Sequence, residues 1–311
     1  MKTLAIEIKH LTKKYRSGFW LKERVSLSDL NLEVEAGSIF GFLGHNGAGK
    51  TTTIKLLIGV IHPTSGEASI FGRPISDINV KREIGYLPES PYFYDYLTGS
   101  EFLDFSGQLF GMTTKERAKR VDALIELVGL KGAEREQMRK YSKGMLQRIG
   151  LAQALINDPK LVILDEPMSG LDPIGRKDVR DIILRLKEEG KTVFFSTHVL
   201  TDAEMICDEV GIIIKGRLRS KGKLETLLNP KVRSVEVTLS GVPYEDLTSL
   251  RSFSKTVIQR GGDFLIVLPE ESLLPSLIDW TIKRGGKIVS VVPRRESLED
   301  IFMEEMKEAG R

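Results

Sequence analysis

The sequence predicts an α/β fold: a buried, mostly parallel sheet with helices on its faces, followed by a smaller α+β domain. Three observations carry this. Short apolar runs at 38–43, 161–164, 192–195 and 209–214 alternate with stretches of helical period, as strands covered on both faces do. The first of these runs leads directly into a glycine-rich loop and a helix. Beyond Asn229-Pro230 a fresh alternating strand begins at 234–239 and the order of elements changes.

Taken in order, residues 4–9 and about 25–34 read as strands, and 38–43 as a strand feeding the loop and a helix over 50–60. A turn at His62, Pro63, Thr64, Ser65 and Gly66 precedes strands near 67–71 and 84–87. The period then becomes helical. Thr98 with Glu101 three residues on forms a capping box that opens a helix to about Phe110, and 114–128 is a second amphipathic helix. About 90–158 is thus a helical insert. Strands return at 161–164, 192–195 and 209–214, separated by helices near 174–189 and 199–206.

Asn229-Pro230 divides the chain into domains 1–228 and 231–311. The second reads as strand, short helix, strand, strand, helix, strand and a last helix opened by Ser297, a split βαβ layer. Gly261-Gly262 marks either a hairpin or a bulge there.

Composition narrows the function. With 46 basic and 43 acidic residues the net charge is +3, and both parts of the chain are near neutrality, so no basic arm points to nucleic acid. One cysteine, Cys207, excludes an internal disulfide and a multi-cysteine metal cluster, and suits a reducing compartment. The first residues are too charged for a signal peptide, and no apolar run approaches the roughly 18 to 20 residues that span a bilayer. Any membrane role is expected to be peripheral.

The chemistry is concentrated in three places. The loop 44–51, GHNGAGKT, has the phosphate-binding spacing of glycines, lysine and hydroxyl in a strand-loop-helix context. Gly44, Gly47 and Gly49 let backbone N–H groups converge on phosphate oxygens at a helix start. Lys50 supplies a point charge and Thr51 a hydroxyl for Mg²⁺. The whole stretch of Gly44, His45, Asn46, Gly47, Ala48, Gly49, Lys50, Thr51 and Thr52 is the expected ATP-binding loop.

The apolar run 161–164 delivers Asp165 and Glu166 to a strand's carboxyl end, where ligands bind in open α/β sheets. Neighbouring strand residues point opposite ways, so the two carboxylates divide the work: Asp165 for Mg²⁺, Glu166 to orient or deprotonate water. The run 193–198, VFFSTH, repeats the design, and His198 is placed to reach a γ-phosphate or hold the water.

In this order, Tyr15, GHNGAGKT, YLPE at 86–89, YSKGM at 141–145, LVILDEP, SGLD at 169–172 and His198 resemble the ATP-binding cassette (ABC) superfamily, and more narrowly ATPase subunits of ABC-2 type exporters. The resemblance covers residues 4 to about 228. The tail is similar to the small C-terminal domain of some exporter ATPases, with SLEDIF at 297–302 its most suggestive segment.

The resemblance implies a P-loop NTPase core of ABC type with an antiparallel β subdomain, a helical subdomain and a small C-terminal α+β domain. It also implies an ATPase that pairs head to tail, as a homodimer or with a related ATPase. Ser142, Lys143, Gly144 and Met145 of one subunit would then complete the site at 44–51 of the other. Tyr15 would stack on adenine, and Asp172 would couple the two sites near the dimer axis. A separate integral membrane transporter subunit would hold the chain at the inner face of the cell membrane.

Departures from the family pattern are Tyr141, Lys143 and Met145 in the signature, a variant shared with some exporter ATPases, and Glu89 where glutamine is usual. Glu89 keeps an oxygen for Mg²⁺ or water but adds charge. Tyr92, Phe93, Tyr94 and Tyr96 form an aromatic cluster in the neighbourhood that, in the family, receives a cytoplasmic helix of the membrane subunit; ordinary packing explains them nearly as well. Phe19 and Trp20 are assigned no role. The competing reading is a soluble cassette ATPase acting on nucleic acid or ribosomes. It is opposed by the lack of a heptad-bearing insert between Lys50 and Ser142 and by the single phosphate loop. A small-molecule kinase leaves YSKGM and His198 unexplained.

Overall fold

The computed structural model describes residues 3–17, 22–228 and 232–310. Phe19, Trp20, Asn229 and Pro230 lie outside the described residues. The chain divides into two compact units, Met1–Leu224 with Glu305–Arg311, and Glu225–Glu304.

The first unit opens with β1 (Leu4–Ser17) and β2 (Lys22–Glu35), each 14 residues long. The apolar alternation of β1 stops at about residue 9, which is where the sequence placed its end. The strand continues because bulges between Ile8 and Leu11, and between Leu11 and Lys13, let it bend, with His10 in the left-handed region at φ 52°. β3 (Ile39–Leu43) is fully buried and leads through the glycine loop to α1 (Lys50–Leu57), shorter than expected. β4 (Ser65–Ile70) and β5 (Arg73–Pro74) complete an antiparallel sheet of order β2-β1-β4-β5.

After a 3-10 turn at Ile78–Glu83, β6 (Ile84–Leu87) precedes the helical part. There α2 (Gly99–Leu109) and α3 (Thr114–Leu127) both begin with complete capping boxes, Thr98 with Glu101 and Thr113 with Glu116. Asp104 of α2 latches Arg117 of α3 at 2.6 Å. α4 (Lys143–Ala154) starts from Ser142, whose Oγ accepts from the N–H of Met145 at 3.2 Å.

β7 (Leu161–Asp165), α5 (Pro173–Glu188), β8 (Thr192–Thr197), α6 (Leu200–Ile206), β9 (Glu209–Ile214), β10 (Arg217–Lys223) and α7 (Leu224–Leu227) follow. They complete a six-stranded sheet of order β10-β9-β3-β8-β7-β6, parallel apart from β10. β10 was not anticipated, because RLRSKGK lacks an apolar run. As an edge strand it needs only one partner, reached through Lys215-Gly216, both at positive φ, as a two-residue hairpin requires.

One core joins the two sheets across α1: Ile6, Ile8, Leu27 and Leu30 from the antiparallel sheet, Ile54 and Leu56 from α1, and Phe40, Phe42, Leu161 and Phe194 from the parallel one. Phe40 and Phe194 are paired in register and stack with centroids 5.7 Å apart. This packing fixes the ends of β3, β7 and β8, and so everything those strands present at their carboxyl edge.

The second unit has β11 (Val232–Ser240), α8 (Leu247–Leu250), β12 (Val257–Arg260), β13 (Asp263–Leu268), α9 (Leu274–Lys283), β14 (Lys287–Arg295) and, up to Glu304, α10 (Leu298–Gly310), in the order the sequence suggested. The sheet order β12-β13-β11-β14 is that of a split βαβ layer. Gly261-Gly262 is a hairpin turn and not a bulge, since Arg260 and Asp263 pair directly across it. Val235, Val237, Leu239, Phe264 and Ile266 form this unit's own core. Among the described residues, no helix is long and apolar enough to cross a membrane.

Candidate functional site

At the carboxyl edge of the parallel sheet, beside the antiparallel sheet, lies a cleft of about 630 Å³. Of the residues expected from sequence, Tyr15, His45, Asn46, Gly47, Gly49, Lys50, Thr51, Thr52, Glu89 and Glu166 line it; Arg24, Val25 and Ser26 of β2 complete the wall. Gly44, Ala48, Asp165 and His198 are not among the lining residues. Ser142, Lys143, Gly144, Met145 and Asp172 do not line the cleft.

The loop's glycines have distinct reasons. Gly47 sits at φ +80° with open space around its Cα, so its requirement is conformational. Gly44 is steric: a Cβ there would lie 2.7 Å from the carbonyl oxygen of Ile213 on β9. Gly49, at φ +120°, is constrained on both counts, with Leu27 2.8 Å from a Cβ. The loop is thereby pressed against β2 and β9 while His45, Asn46, Gly47, Gly49 and the start of α1 line the cleft, an arrangement suited to phosphate.

Lys50 is 6% exposed. Its Nζ donates to the carbonyl of Gly44 at 2.6 Å and lies 3.1 Å from Glu166 Oε1. That second approach is Coulombic, because Oε1 has no aligned hydrogen bond. Glu166 follows β7 in the left-handed region at φ 50°, a conformation costly for a non-glycine residue and found where surrounding contacts enforce it. Its N–H donates to Ser196 Oγ at 3.0 Å, and its Oε2 accepts from His198 Nδ1 at 2.8 Å. One carboxylate is thus held between a lysine and a histidine.

Asp165 is 1% exposed and accepts from Ser196 Oγ at 2.5 Å. Burial, and then the charge of Asp165, push the Tyr86 phenol up to about 12. Ser196 was not assigned a role from sequence, yet it contacts both acids. The signal was present: β7 and β8 are parallel with Asp165 opposite Ser196, so the polar residue ending one apolar run meets the acid ending the other. Ser26 was also missed; its Oγ lies 2.8 Å from Thr52 Oγ1.

Tyr15 stands 37% exposed at the cleft, with Lys13 Nζ 5.2 Å from its ring centroid. Glu89 lies two residues past β6, lines the cleft and is exposed. Away from the cleft, Ser142 caps α4, and among the described residues, its chain neighbours and its own helix backbone aside, nothing comes closer than 4.0 Å to a Cβ built on Gly144. The end of Lys143 lies over Gly170, so close that any Cβ at 170 would collide with it. Asp172 caps α5 by accepting from the N–H of Gly175 at 2.9 Å.

A family model described as ABC transporter matches residues 27–169. The chain is 46% identical over 309 residues to an uncharacterized ABC transporter ATP-binding protein of Synechocystis, covering 98% of this chain and 85% of the relative. It is 38% identical over 297 residues to the bacitracin transport ATP-binding protein BcrA of Bacillus licheniformis, covering 86% and 94%. Among solved structures, the dimeric post-hydrolysis state of the ATP-binding cassette MJ0796 bound to ADP and Pi aligns with TM-score 0.64 and 25% identity, over 70% of this chain and 98% of that one. The cbiO1 subunit of the cbiONQ transporter complex from Clostridium perfringens aligns with TM-score 0.65 and 25% identity, over 73% and 91%.

Proposed function

This chain belongs to the ABC transporter family of ATP-binding proteins, and we propose that it hydrolyses Mg-ATP in a head-to-tail dimer to drive a separate membrane transporter subunit of exporter type. The observation that carries this reading is the placement of Glu166 between Lys50 and His198, at 3.1 Å and 2.8 Å, above the start of α1. A phosphate chain on the loop at 44–52 would bring its terminal group to Lys50. Glu166 is then the base that orients or takes a proton from the attacking water, and His198 fixes its carboxylate. Tyr15, at the cleft mouth, offers a ring face to adenine.

The oxygen donors Thr51, Asp165 and Glu89 fit a hard cation such as Mg²⁺. Among the described residues no group of three or more His, Cys, Asp or Glu side chains gathers closely enough to hold a metal alone. That suits an ion bound partly by phosphate and water, which would neutralise charge on the phosphates.

Ser142 and Gly144 support the dimer. Gly144 has no steric need of its own for a missing side chain, so a bare backbone beside a capping hydroxyl suits the approach of an external phosphate. In this reading they, with Lys143 and Met145, complete the site of the partner, and Asp172 links the two sites. For the membrane partner, support comes from an exposed aromatic patch after Glu89: Tyr92 is 90% and Tyr96 63% exposed, and Tyr94 packs edge-on against Phe105. The match to BcrA, a bacitracin transport ATP-binding protein, supports a role in transport.

Two experiments test the proposal. Phosphate release by the purified chain should fall to near background in Glu166→Gln, and turnover at near normal rates would sink the assignment. Copurification from detergent extracts should recover a polytopic membrane protein; recovery of RNA or ribosomes in its place would overturn the transport reading.

A further inference from the structure

We propose that Arg176 is a positioning residue for hydrolysis, because with Asp202 it closes a ring of contacts that begins and ends on Glu166. The inference rests on the reading of this site as an ATPase.

The ring runs through hydrogen bonds, one ion-pair contact and short stretches of backbone. The carbonyl of Glu166 accepts from the N–H of Ser169 at 3.1 Å, and Leu171 N–H donates to Met168 O at 3.4 Å, which folds the loop carrying Asp172 back onto the carboxylate's own backbone. Arg176, in the first turn of α5, donates from Nε to the carbonyl of Leu171 at 3.3 Å. Its Nη1 lies 3.7 Å from Oδ2 of Asp202 on α6. α6 starts two residues after His198, whose Nδ1 returns to Glu166 Oε2.

Asp202 is the unusual member. Its side chain is 4% exposed, and a buried carboxylate is costly unless paired. Arg180 meets Oδ1 at 3.2 Å and already supplies that pairing. Oδ2 has no aligned hydrogen bond, and Arg176 is the cation facing it. Neutralisation alone therefore does not require Arg176. What Arg176 does and Arg180 does not is join Asp202 to the Leu171 carbonyl. The guanidinium suits this, since one planar fork can serve a carbonyl and a carboxylate at fixed spacing, which an ammonium on a flexible stem cannot. Arg176 thus transmits the position of the 169–172 loop to α6 and His198, so that the loop and the histidine shift together against Glu166.

The test compares unsubstituted chain with Arg176→Met, Arg176→Lys and Arg180→Met in Mg-ATP titrations and thermal melts. Arg176→Met is expected to lower kcat by about 10-fold or more with KM nearly unchanged, as misplacement of a catalytic group does. Arg176→Lys should melt near the unsubstituted chain yet keep the low kcat. Arg180→Met should lose thermal stability while kcat stays within about threefold. If Arg176→Met keeps its kcat, or if both arginine-to-methionine variants lose kcat in proportion to their loss of stability, the inference is overturned while the ATPase reading stands. No turnover in the unsubstituted chain would overturn both.

Discussion

Lys50 and Glu166 oppose one another at 3.1 Å with only 6% of each side chain exposed. The lysine that should meet phosphate therefore already has an anionic partner, and the carboxylate that should meet water already has a cation. A phosphate on the loop competes with Glu166 for Lys50. Turnover and affinity are expected to separate on this account. Replacing Glu166 by glutamine removes the competitor and the proposed base together, so hydrolysis should fall by about 10²- to 10⁴-fold while ATP binding does not weaken. Equilibrium nucleotide binding beside phosphate release checks this, and a parallel loss of both would contradict it.

The same pair makes a stability prediction. Lys50→Met leaves Glu166 buried against methionine, a break in a buried pair that costs about 3 kcal/mol or more where water is excluded. The cleft admits some solvent, which lowers the figure. Lys50→Met with Glu166→Gln should recover most of the lost melting temperature, because no unpaired charge remains, but should recover no nucleotide binding. A double variant no more stable than Lys50→Met alone would mean that the pair is not the source of the loss.

Glu89 lines the cleft, exposed and past the end of β6. An exposed carboxylate there contributes charge toward a cation more than it contributes contacts to the nucleotide. Glu89→Gln is expected to raise the Mg²⁺ concentration needed for half-maximal activity, with little change in ATP affinity. An unchanged Mg²⁺ titration would rule this out.

These residues were readable to different degrees, for physical reasons. The loop at 44–52 is contiguous, and its spacing alone specifies a phosphate cradle. Asp165, Glu166 and His198 were readable because each lies at or just past the carboxyl end of an apolar strand, and parallel strands align their ends. Ser196 was readable only in part: it ends its apolar run in the sequence, but its importance lies in register, since pairing with β7 is what brings its hydroxyl to Asp165. Likewise β10 and the far half of β1 lack periodicity of their own and exist through partners, bulges and a two-residue turn. The Arg176 to Asp202 contact joins two helices through side chains 26 positions apart, which no local pattern encodes.

The helical part carries a pH signature. The hydrogen bond from Arg117, then that from Gln108, hold the Asp104 carboxyl below its usual range. A folded value below the unfolded one, about 3.9, means that the carboxylate stabilises the fold above that unfolded value and ceases to as pH falls through the folded one. From neutral pH to about 5 the latch between α2 and α3 should contribute unchanged. Below about 4 stability should decline, and more steeply than in Asp104→Asn, whose amide does not titrate. Melting temperatures of both chains across this range provide the check, and parallel profiles would remove Asp104 from the acid response.

Gly85 tests whether a residue of β6 that does not line the cleft acts on the dimer contact proposed for Ser142 and Gly144. It lies in β6 with the last turn of α4 seated directly on it, so a Cβ would collide with the carbonyl oxygen of Ala154 and stand 2.9 Å from Pro159. Backbone cannot yield as a flexible side chain does, and Gly85→Ala should cost about 1–3 kcal/mol, the usual range for overpacking a filled core. Relief requires α4 to lift from β6, and α4 begins at Ser142. Nucleotide-driven dimerisation in a Glu166→Gln background should therefore weaken more than ATP binding, since the cleft residues of the same chain do not sit on α4. Equal loss of binding and dimerisation would show that the strain spreads through the whole parallel sheet.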